Sequence, residues 1–146
     1  MLDMTRLQRA RILNGLDSVQ IAEVVAMGEE QHLEKGTVIF QEGEPGRYLY
    51  IVLEGVVSIH FGDKFIAKCR DYEAFGEMAT LHQRPRSATA RASTDVHMLA
   101  FGEAEVAQLL ASPHAVQFLL NVIDVLSSRL ARGNAWVANG LEAQRK

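Results

Sequence analysis

At 146 residues, of which 48% are hydrophobic and 23% charged, the chain is long enough for a single domain to bury most of the apolar surface that its unfolded form exposes. Fifteen basic and eighteen acidic residues give a formal net charge of −3, which argues against direct nucleic-acid binding because such proteins carry a basic face that neutralises phosphates. No apolar run approaches the roughly 18 residues of a membrane span and no signal peptide follows the early arginines, so we expect a cytoplasmic protein.

Residues 1–30 predict an N-terminal helical segment. Its apolar residues cluster first and then recur at helical spacing, in the order Leu7, Ile12, Leu13, Ile21, Val24 and Val25. Between the two groups, Asp17 or Ser18 can cap a helix, because a short oxygen-bearing side chain accepts from the first backbone N–H groups.

Residues 31–102 predict an antiparallel β-roll. Short segments rich in Val, Ile, Tyr and Phe alternate with glycines, a texture typical of rolls and barrels. The strand candidates are 37–40, 48–53, 56–61, 65–67, 88–92 and 96–101. Because Glu54-Gly55 separates two of these candidates, we predict a hairpin at that point.

Residues 103–146 predict helices again. A short helix at Glu103 to Leu110 ends near Ser112-Pro113, and a long helix follows. Its apolar residues recur every three or four positions, at Val116, Leu119, Ile123, Leu126, Leu130 and Val137. This stripe fits packing on the chain's own sheet and a homodimer seam equally well. The predicted fold class is therefore mainly β with flanking helices (α+β), a jelly-roll-like antiparallel roll in one domain.

Segment 75–90, FGEMATLHQRPRSATA, is the most informative part of the chain. A phosphate requires a cation with a planar fork of donors and open backbone N–H groups, which Arg86 and the turn 77–81 can supply. Glu77 can accept from a hydroxyl group. Small residues flank these groups. Gly76 lets a ligand approach the backbone, and Ser87 and Ala88 leave room and can add a hydroxyl and an amide donor. From spacing alone, a capped helix followed by a solvated loop explains the same pattern.

With the residues that follow, the segment reads FGEMATLHQRPRSATARA and resembles the phosphate-binding cassette of the cyclic-nucleotide-binding domain family, and LEKGTVIFQEGEPGRYLYIVLEGVVSIH is similar to that family's β-roll. The resemblance implies that Glu77 accepts from the ribose 2′-hydroxyl, with a backbone contact from Gly76 beside it. It also implies that Arg86 pairs with the exocyclic phosphate oxygens, that Ser87 contacts the phosphate or the base, and that the Ala88 N–H completes the cradle. We expect the functional side chains on solvated loops, where substitutions change stability by about half a kcal/mol.

The sequence departs from the family where a Pro-Gly pair often precedes the cassette, since Asp71 and Tyr72 stand there. Three further residues are candidates for the base side of the site. By the resemblance, Ile66 and Cys69 match base-lining positions, and Asn134 on the last helix could reach an exocyclic amine. Plain packing or surface exposure explains the same three residues.

The expected ligand is cyclic AMP, with cyclic GMP as the alternative. In the family, threonine after the arginine often accompanies cyclic GMP selection and alanine accompanies cyclic AMP selection, so Ser87 leaves the choice open, and similarity to bacterial members favours cyclic AMP. The chain carries no helix-turn-helix, kinase or channel segment, so we expect the C-terminal helix to signal to an effector partner or to a missing effector domain. Met1 slightly favours a complete chain over a fragment, and the sequence leaves both alternatives open.

Two other hypotheses are a ligand-free interaction module of the same fold and a cupin-like β-barrel metalloenzyme. An enzyme of the second kind requires several ligands that converge on one metal. The histidines lie apart in the sequence, without His-x-His or His-x-x-x-His spacing, at His32, His60, His82, His97 and His114. We therefore expect isolated histidines, no metal, no other cofactor and no catalytic residue, while Glu77 and Arg86 argue against the ligand-free module.

Overall fold

The computed structural model describes residues 4–76 and 84–128. Its helices are α1 (Met4–Leu7), α2 (Ser18–Met27), α3 (Glu103–Leu110) and α4 (Ala115–Ser128), with a 3-10 turn at Arg11–Leu13. Its strands are β1 (Glu29–Leu33), β2 (Val38–Phe40), β3 (Tyr48–Glu54), β4 (Val57–Phe61), β5 (Lys64–Cys69), β6 (Ala74–Phe75), β7 (Thr89–Ala92) and β8 (Val96–Gly102).

The strands form two four-stranded antiparallel sheets, one in the order β1-β8-β3-β6 and the other in the order β2-β7-β4-β5. Successive side chains of a strand point to opposite faces. On β8, Met98 and Ala100 accordingly join the core between the sheets, whereas Leu99 and Phe101 join a second core beneath the helices. The predicted antiparallel β-roll with flanking helices is confirmed.

The helical core covers the outer face of the first sheet. Side chains from the N-terminal turns, α2, α3 and α4 meet it there, among them Leu7, Ile12, Leu13, Ile21, Val106, Leu109, Phe118 and Val122. In the described residues no single helix is long and apolar enough to cross a membrane, although α3 and α4, bent by 115°, together meet that test by length and composition alone.

The capping prediction is confirmed at Asp17. Its Oδ1 accepts from the backbone N–H of Gln20 at 2.8 Å, and Gln20 Oε1 accepts from the Asp17 N–H at 2.9 Å. This reciprocal pair satisfies two N–H groups that the first turn of a helix leaves open. The following strand, β1, is not among the strand candidates, and it begins at Glu29, before the start expected for the roll at residue 31.

The predicted hairpin at Gly55 is wrong, because β3 and β4 belong to different sheets. Gly55 adopts a φ of +102° and lies so close to the Asp95 carbonyl that a Cβ would overlap it. The next residue, Val56, donates its N–H to Thr94 Oγ1 at 3.0 Å. The chain therefore passes from one sheet to the other at Gly55, beside the β7–β8 turn. The contacts there join residues that are far apart in the sequence, so local turn chemistry does not predict them.

The predicted apolar stripe of α4 is divided between the core and the solvent, because Leu126 packs against the helical core whereas the three stripe residues before it are exposed. Val116, Leu119 and Ile123 are 71%, 41% and 59% exposed, whereas the buried face carries Phe118 and Val122. The stripe positions Leu130 and Val137 lie outside the described residues. The helix thus has two apolar faces, of which one covers the roll and the other is open to solvent.

A buried amide fixes α4 against the N-terminal turn. Asn121 Nδ2 donates to the carbonyls of Ile12 at 2.9 Å and Asn14 at 2.8 Å, and its Oδ1 accepts from Gln117 at 3.1 Å. Closer to the surface, Arg11 and Asp124 form an ion pair at 2.8 Å. The two ends of the described chain are therefore joined by polar contacts as well as by apolar packing.

We predict that Asn121→Ala lowers the free energy of unfolding by about 1–3 kcal/mol, because it leaves buried carbonyl oxygens without their donor. Asp124→Asn on the same helix is the matched control and should cost less than about 1 kcal/mol, since an exposed ion pair contributes little. Urea unfolding followed by circular dichroism measures both. Equal losses in the two variants would contradict the role given to Asn121.

Candidate functional site

Arg86 lies just before β7 and is only 4% exposed, so the expectation of a solvated loop side chain is wrong for this residue. Its Nη1 donates to the Gly76 carbonyl at 2.9 Å, and its Nη2 donates to the Tyr48 carbonyl at 2.6 Å. Tyr48 begins β3 and Gly76 follows β6, which are neighbours in the first sheet. The guanidinium therefore joins the edge of this sheet to the loop that precedes β7.

Two aromatic rings lie beside the Arg86 guanidinium. Its Cζ lies 4.0 Å from the ring centroid of Phe40 and 5.9 Å from that of Tyr50, and Tyr50 stacks on Phe75 at 4.9 Å. Burial raises the pKa of Tyr50, and the positive charge of Arg86 opposes that rise. The phenol therefore stays neutral at physiological pH, and both rings present π faces that attract a cation.

The turn between β2 and β3 holds the backbone of Arg86. The Arg86 N–H donates to the Glu44 carbonyl at 2.8 Å, and the Gly43 N–H donates to the Arg86 carbonyl at 2.8 Å. Pro85, the residue before Arg86, forms an isolated antiparallel β-bridge with Pro45. The turn and bridge border a shallow surface cleft of about 300 Å³, lined by Gly43, Pro45, Gly46, Arg84, Pro85 and Glu103. Both the backbone and the guanidinium of Arg86 are thus fixed by separate segments of the roll.

Gly76 is required by the approach of Arg86. The glycine has a φ of +83°, and a Cβ built on it would lie 2.6 Å from Arg86 Nη1 and 3.0 Å from the Tyr48 carbonyl oxygen. The sequence suggested that this glycine admits a ligand to the backbone. In the structure, it admits the guanidinium.

The other cassette residues fall in two groups. Ser87 is exposed and Ala88 half-buried, both directly after Arg86, and Arg84 is exposed as expected. Glu77 lies outside the described residues. The structure therefore brings Gly76 and Arg86 together, and Ser87 and Ala88 follow Arg86 along the chain.

The base-side candidates are not alike. Cys69 is buried in the core between the sheets, where it pairs with Val57 of β4. Ile66 is 52% exposed and lies where the pairing of β4 and β5 is irregular. Asn134 lies outside the described residues. Of the two candidates that the structure describes, Cys69 is the one that faces the interior of the roll.

Sequence reasoning missed the Tyr48 carbonyl and the rings of Phe40 and Tyr50 as partners of Arg86. The aromatic residues are visible in the sequence, but their meeting depends on strands from both sheets.

Tyr72 has a φ of +64°, at a position where the family that the sequence resembles often has glycine. The chain thus retains the left-handed turn without the residue that favours it.

The expectation of isolated histidines is wrong for two of them. The rings of His32 and His97 stack at a centroid distance of 4.1 Å, and His97 Nε2 lies 2.9 Å from Glu30 Oε2. Strand pairing brings these residues together across a long stretch of sequence. His82 lies outside the described residues.

The fold and site define a class of antiparallel β-roll that holds a buried arginine beside an aromatic interior. A family profile for the cyclic nucleotide-binding domain matches residues 30–112. The chain belongs to the cyclic nucleotide-binding domain family. This family is one of ligand-binding regulatory domains.

Curated relatives include two kinds of kinase protein. The chain is 36% identical over 81 residues to the cAMP-dependent protein kinase regulatory subunit of Candida albicans, covering 56% of this chain and 18% of the relative. It is 30% identical over 90 residues to human cGMP-dependent protein kinase 2, covering 62% and 12%. The chain therefore spans less than a fifth of these two proteins.

Among solved structures, the chain is similar to the N-terminal domain of a transcriptional regulator from Streptomyces coelicolor. The two share 30% sequence identity with a TM-score of 0.71, over 89% of this chain and 95% of the other. The likeness thus includes almost the whole of that domain.

We predict that Gly76→Ala destabilises the protein more than Gly36→Ala does. Both glycines have positive φ, +83° and +93°, so both substitutions cost about 1–2 kcal/mol of backbone strain. A Cβ at Gly36 meets nothing within 4 Å, whereas one at Gly76 overlaps the guanidinium and adds about 1–3 kcal/mol. Thermal unfolding of the two variants measures the difference, and equal melting temperatures would contradict the packing of Arg86 on Gly76.

Proposed function

We propose that this protein is a cytoplasmic sensor domain that binds a cyclic nucleotide, with cyclic AMP favoured, in the cassette at residues 75–90. The ligand-binding residues are Gly76, Glu77, Arg86, Ser87 and Ala88. The observation that carries the proposal is the buried guanidinium of Arg86, fixed at the edge of the interior between the two sheets.

The phosphate of the nucleotide pairs with Arg86. Each terminal nitrogen of a guanidinium carries two N–H groups, so a bond to a carbonyl does not by itself exclude an oxyanion. The Phe40 and Tyr50 rings limit the water around the cation, which strengthens its attraction to a negative charge. Ser87 and the Ala88 N–H are the next donors along the chain.

The ribose and the base contact different residues. Glu77 accepts from the ribose 2′-hydroxyl, beside the backbone of Gly76. The base lies toward β5, where Cys69 faces the interior, with Ile66 and Asn134 as further contacts. The choice of cyclic AMP over cyclic GMP rests on similarity to bacterial members, since the relatives include a cAMP-dependent and a cGMP-dependent protein.

The C-terminal helices carry the signal to an effector partner or effector domain. Support comes from the short path between the site and these helices. Arg86 bonds to the carbonyl of Tyr48, Tyr48 pairs with Gly102 across the sheet, and Gly102 is the N-cap of α3. A ligand that changes the bonds of Arg86 therefore acts one strand away from the start of α3.

The first test of this function is calorimetry on the full chain with cyclic AMP, cyclic GMP and linear 5′-AMP. We expect dissociation constants in roughly the micromolar range for the cyclic ligands, about −8 kcal/mol. Arg86→Lys should weaken binding more than tenfold, by about 2–5 kcal/mol, because a point charge cannot reproduce the fork. Glu77→Gln should cost about 1–3 kcal/mol and remove any preference for cyclic AMP over its 2′-deoxy analogue.

Arg84→Lys is the matched control, because this exposed arginine lies two residues from Arg86. It should leave affinity unchanged. Because Arg86 is buried, the melting temperature of each variant is measured beside its affinity. Tight binding by a folded Arg86→Lys protein would refute the cassette assignment. Absence of heat with both cyclic nucleotides at millimolar concentration would favour a ligand-free interaction module.

The exposed stripe of α4 supports a homodimer through the C-terminal helix. Val116, Leu119 and Ile123 present an apolar surface, and burying such a surface in a second copy would stabilise the pair. We expect light scattering to give a dimer for the parent and a monomer for Ile123→Glu. Val19→Glu, on the exposed face of α2, should remain dimeric. A strictly monomeric parent, with and without nucleotide, would overturn this expectation.

A further inference from the structure

Three side chains that can ligate metals meet where the outer strand β1 of the first sheet pairs with β8. Strands β1 and β8 pair with His32 directly opposite His97 and Glu30 opposite Leu99. Residues two apart on a strand share a face, so Glu30 and His32 lie on the same side of β1. The pairing register therefore places one carboxylate and two imidazoles on one patch, which we name the β1–β8 histidine cluster.

The geometry of the β1–β8 histidine cluster is compact. The imidazole rings stack at 4.1 Å with an interplanar angle of 8°, and His97 Nε2 lies 2.9 Å from Glu30 Oε2. One ligand atom from each of Glu30, His32 and His97 lies within 4.8 Å of the other two. The side chains of His97 and Glu30 are 20% and 50% exposed, so a solvated ion can reach them.

We propose that Glu30, His32 and His97 bind a divalent transition metal of the zinc class. Imidazole nitrogens suit zinc, copper and nickel, whereas magnesium and calcium prefer sets made of oxygen. Ligand atoms about 2.0–2.1 Å from a tetrahedral zinc lie roughly 3.4 Å apart, so modest rotations of these exposed side chains complete the site. Two imidazoles and one carboxylate leave a fourth position for water.

The bound metal links strand β1 to its neighbour β8. Among the strands that the structure describes, β1 pairs only with β8, and β1 follows α2 after a single residue, Gly28. A metal shared by β1 and β8 therefore also holds the N-terminal helical segment against the roll. The cluster lies at the Glu54 end of β3, whereas Arg86 bonds to Tyr48 at the other end, roughly 20 Å along the strand.

Calorimetric titration of the full chain with zinc chloride tests the site and needs no nucleotide. We expect one saturable zinc per chain, with at least tenfold weaker binding in His32→Ala and in His97→Ala, since loss of even an outer-shell partner costs about tenfold or more. Magnesium chloride should give no binding. His114→Ala is the matched control, because His114 pairs with Glu23 at 3.0 Å in the same kind of contact but has no second imidazole in that contact.

Thermal unfolding gives a second readout, because an ion that binds only the folded state raises the melting temperature. Zinc should raise it for the parent and for His114→Ala, and not for His32→Ala, whose side chain is exposed and whose loss leaves the cores intact. Glu30→Gln provides a further exposed variant if His97→Ala fails to fold. Zinc affinity that is equal in the parent, His32→Ala and Glu30→Gln would overturn the proposal, as would a parent that binds no zinc.

Discussion

The buried charge of Arg86 is the constraint on which the site depends. Moving a guanidinium out of water costs several kcal/mol unless its environment compensates. Here the carbonyls of Tyr48 and Gly76 accept from it, and the Phe40 ring lies 4.0 Å below it. Each partner comes from a different part of the chain. The charge is therefore held by the tertiary fold rather than by its own loop.

The roll supplies these partners because β3 is buried on both faces. Its residues alternate between the core within the roll and the core beneath the helices, with Tyr50 in the first and Ile51 in the second. A shift of β3 by one residue would exchange the two sets, so its register is strongly specified. The position of the Tyr48 carbonyl, and with it that of the guanidinium, follows from this register.

The sequence predicted what depends on neighbours in the chain. The Asp17 cap, the strand candidates and the break near Pro113 each rest on a few consecutive residues, and the structure has them. The hairpin at Gly55, the solvated Arg86 and the isolated histidines were wrong for one shared reason. Each depends on residues brought close by strand pairing: Asp95 beside Gly55, Phe40 beneath Arg86, and His97 opposite His32.

The same strand pairing connects the site to the helices. Tyr48 accepts from Arg86, pairs with Gly102 and so lies beside the N-cap of α3, after which α4 is pinned to the N-terminal turn through Asn121. Under the proposed function, a phosphate at Arg86 adds an acceptor beside the Tyr48 carbonyl, and any change in the Arg86–Tyr48 bond reaches the end of β3 that pairs with Gly102, the N-cap of α3. The helices that follow would then respond together with the N-terminal turn, because Asn121 bonds the two into one layer.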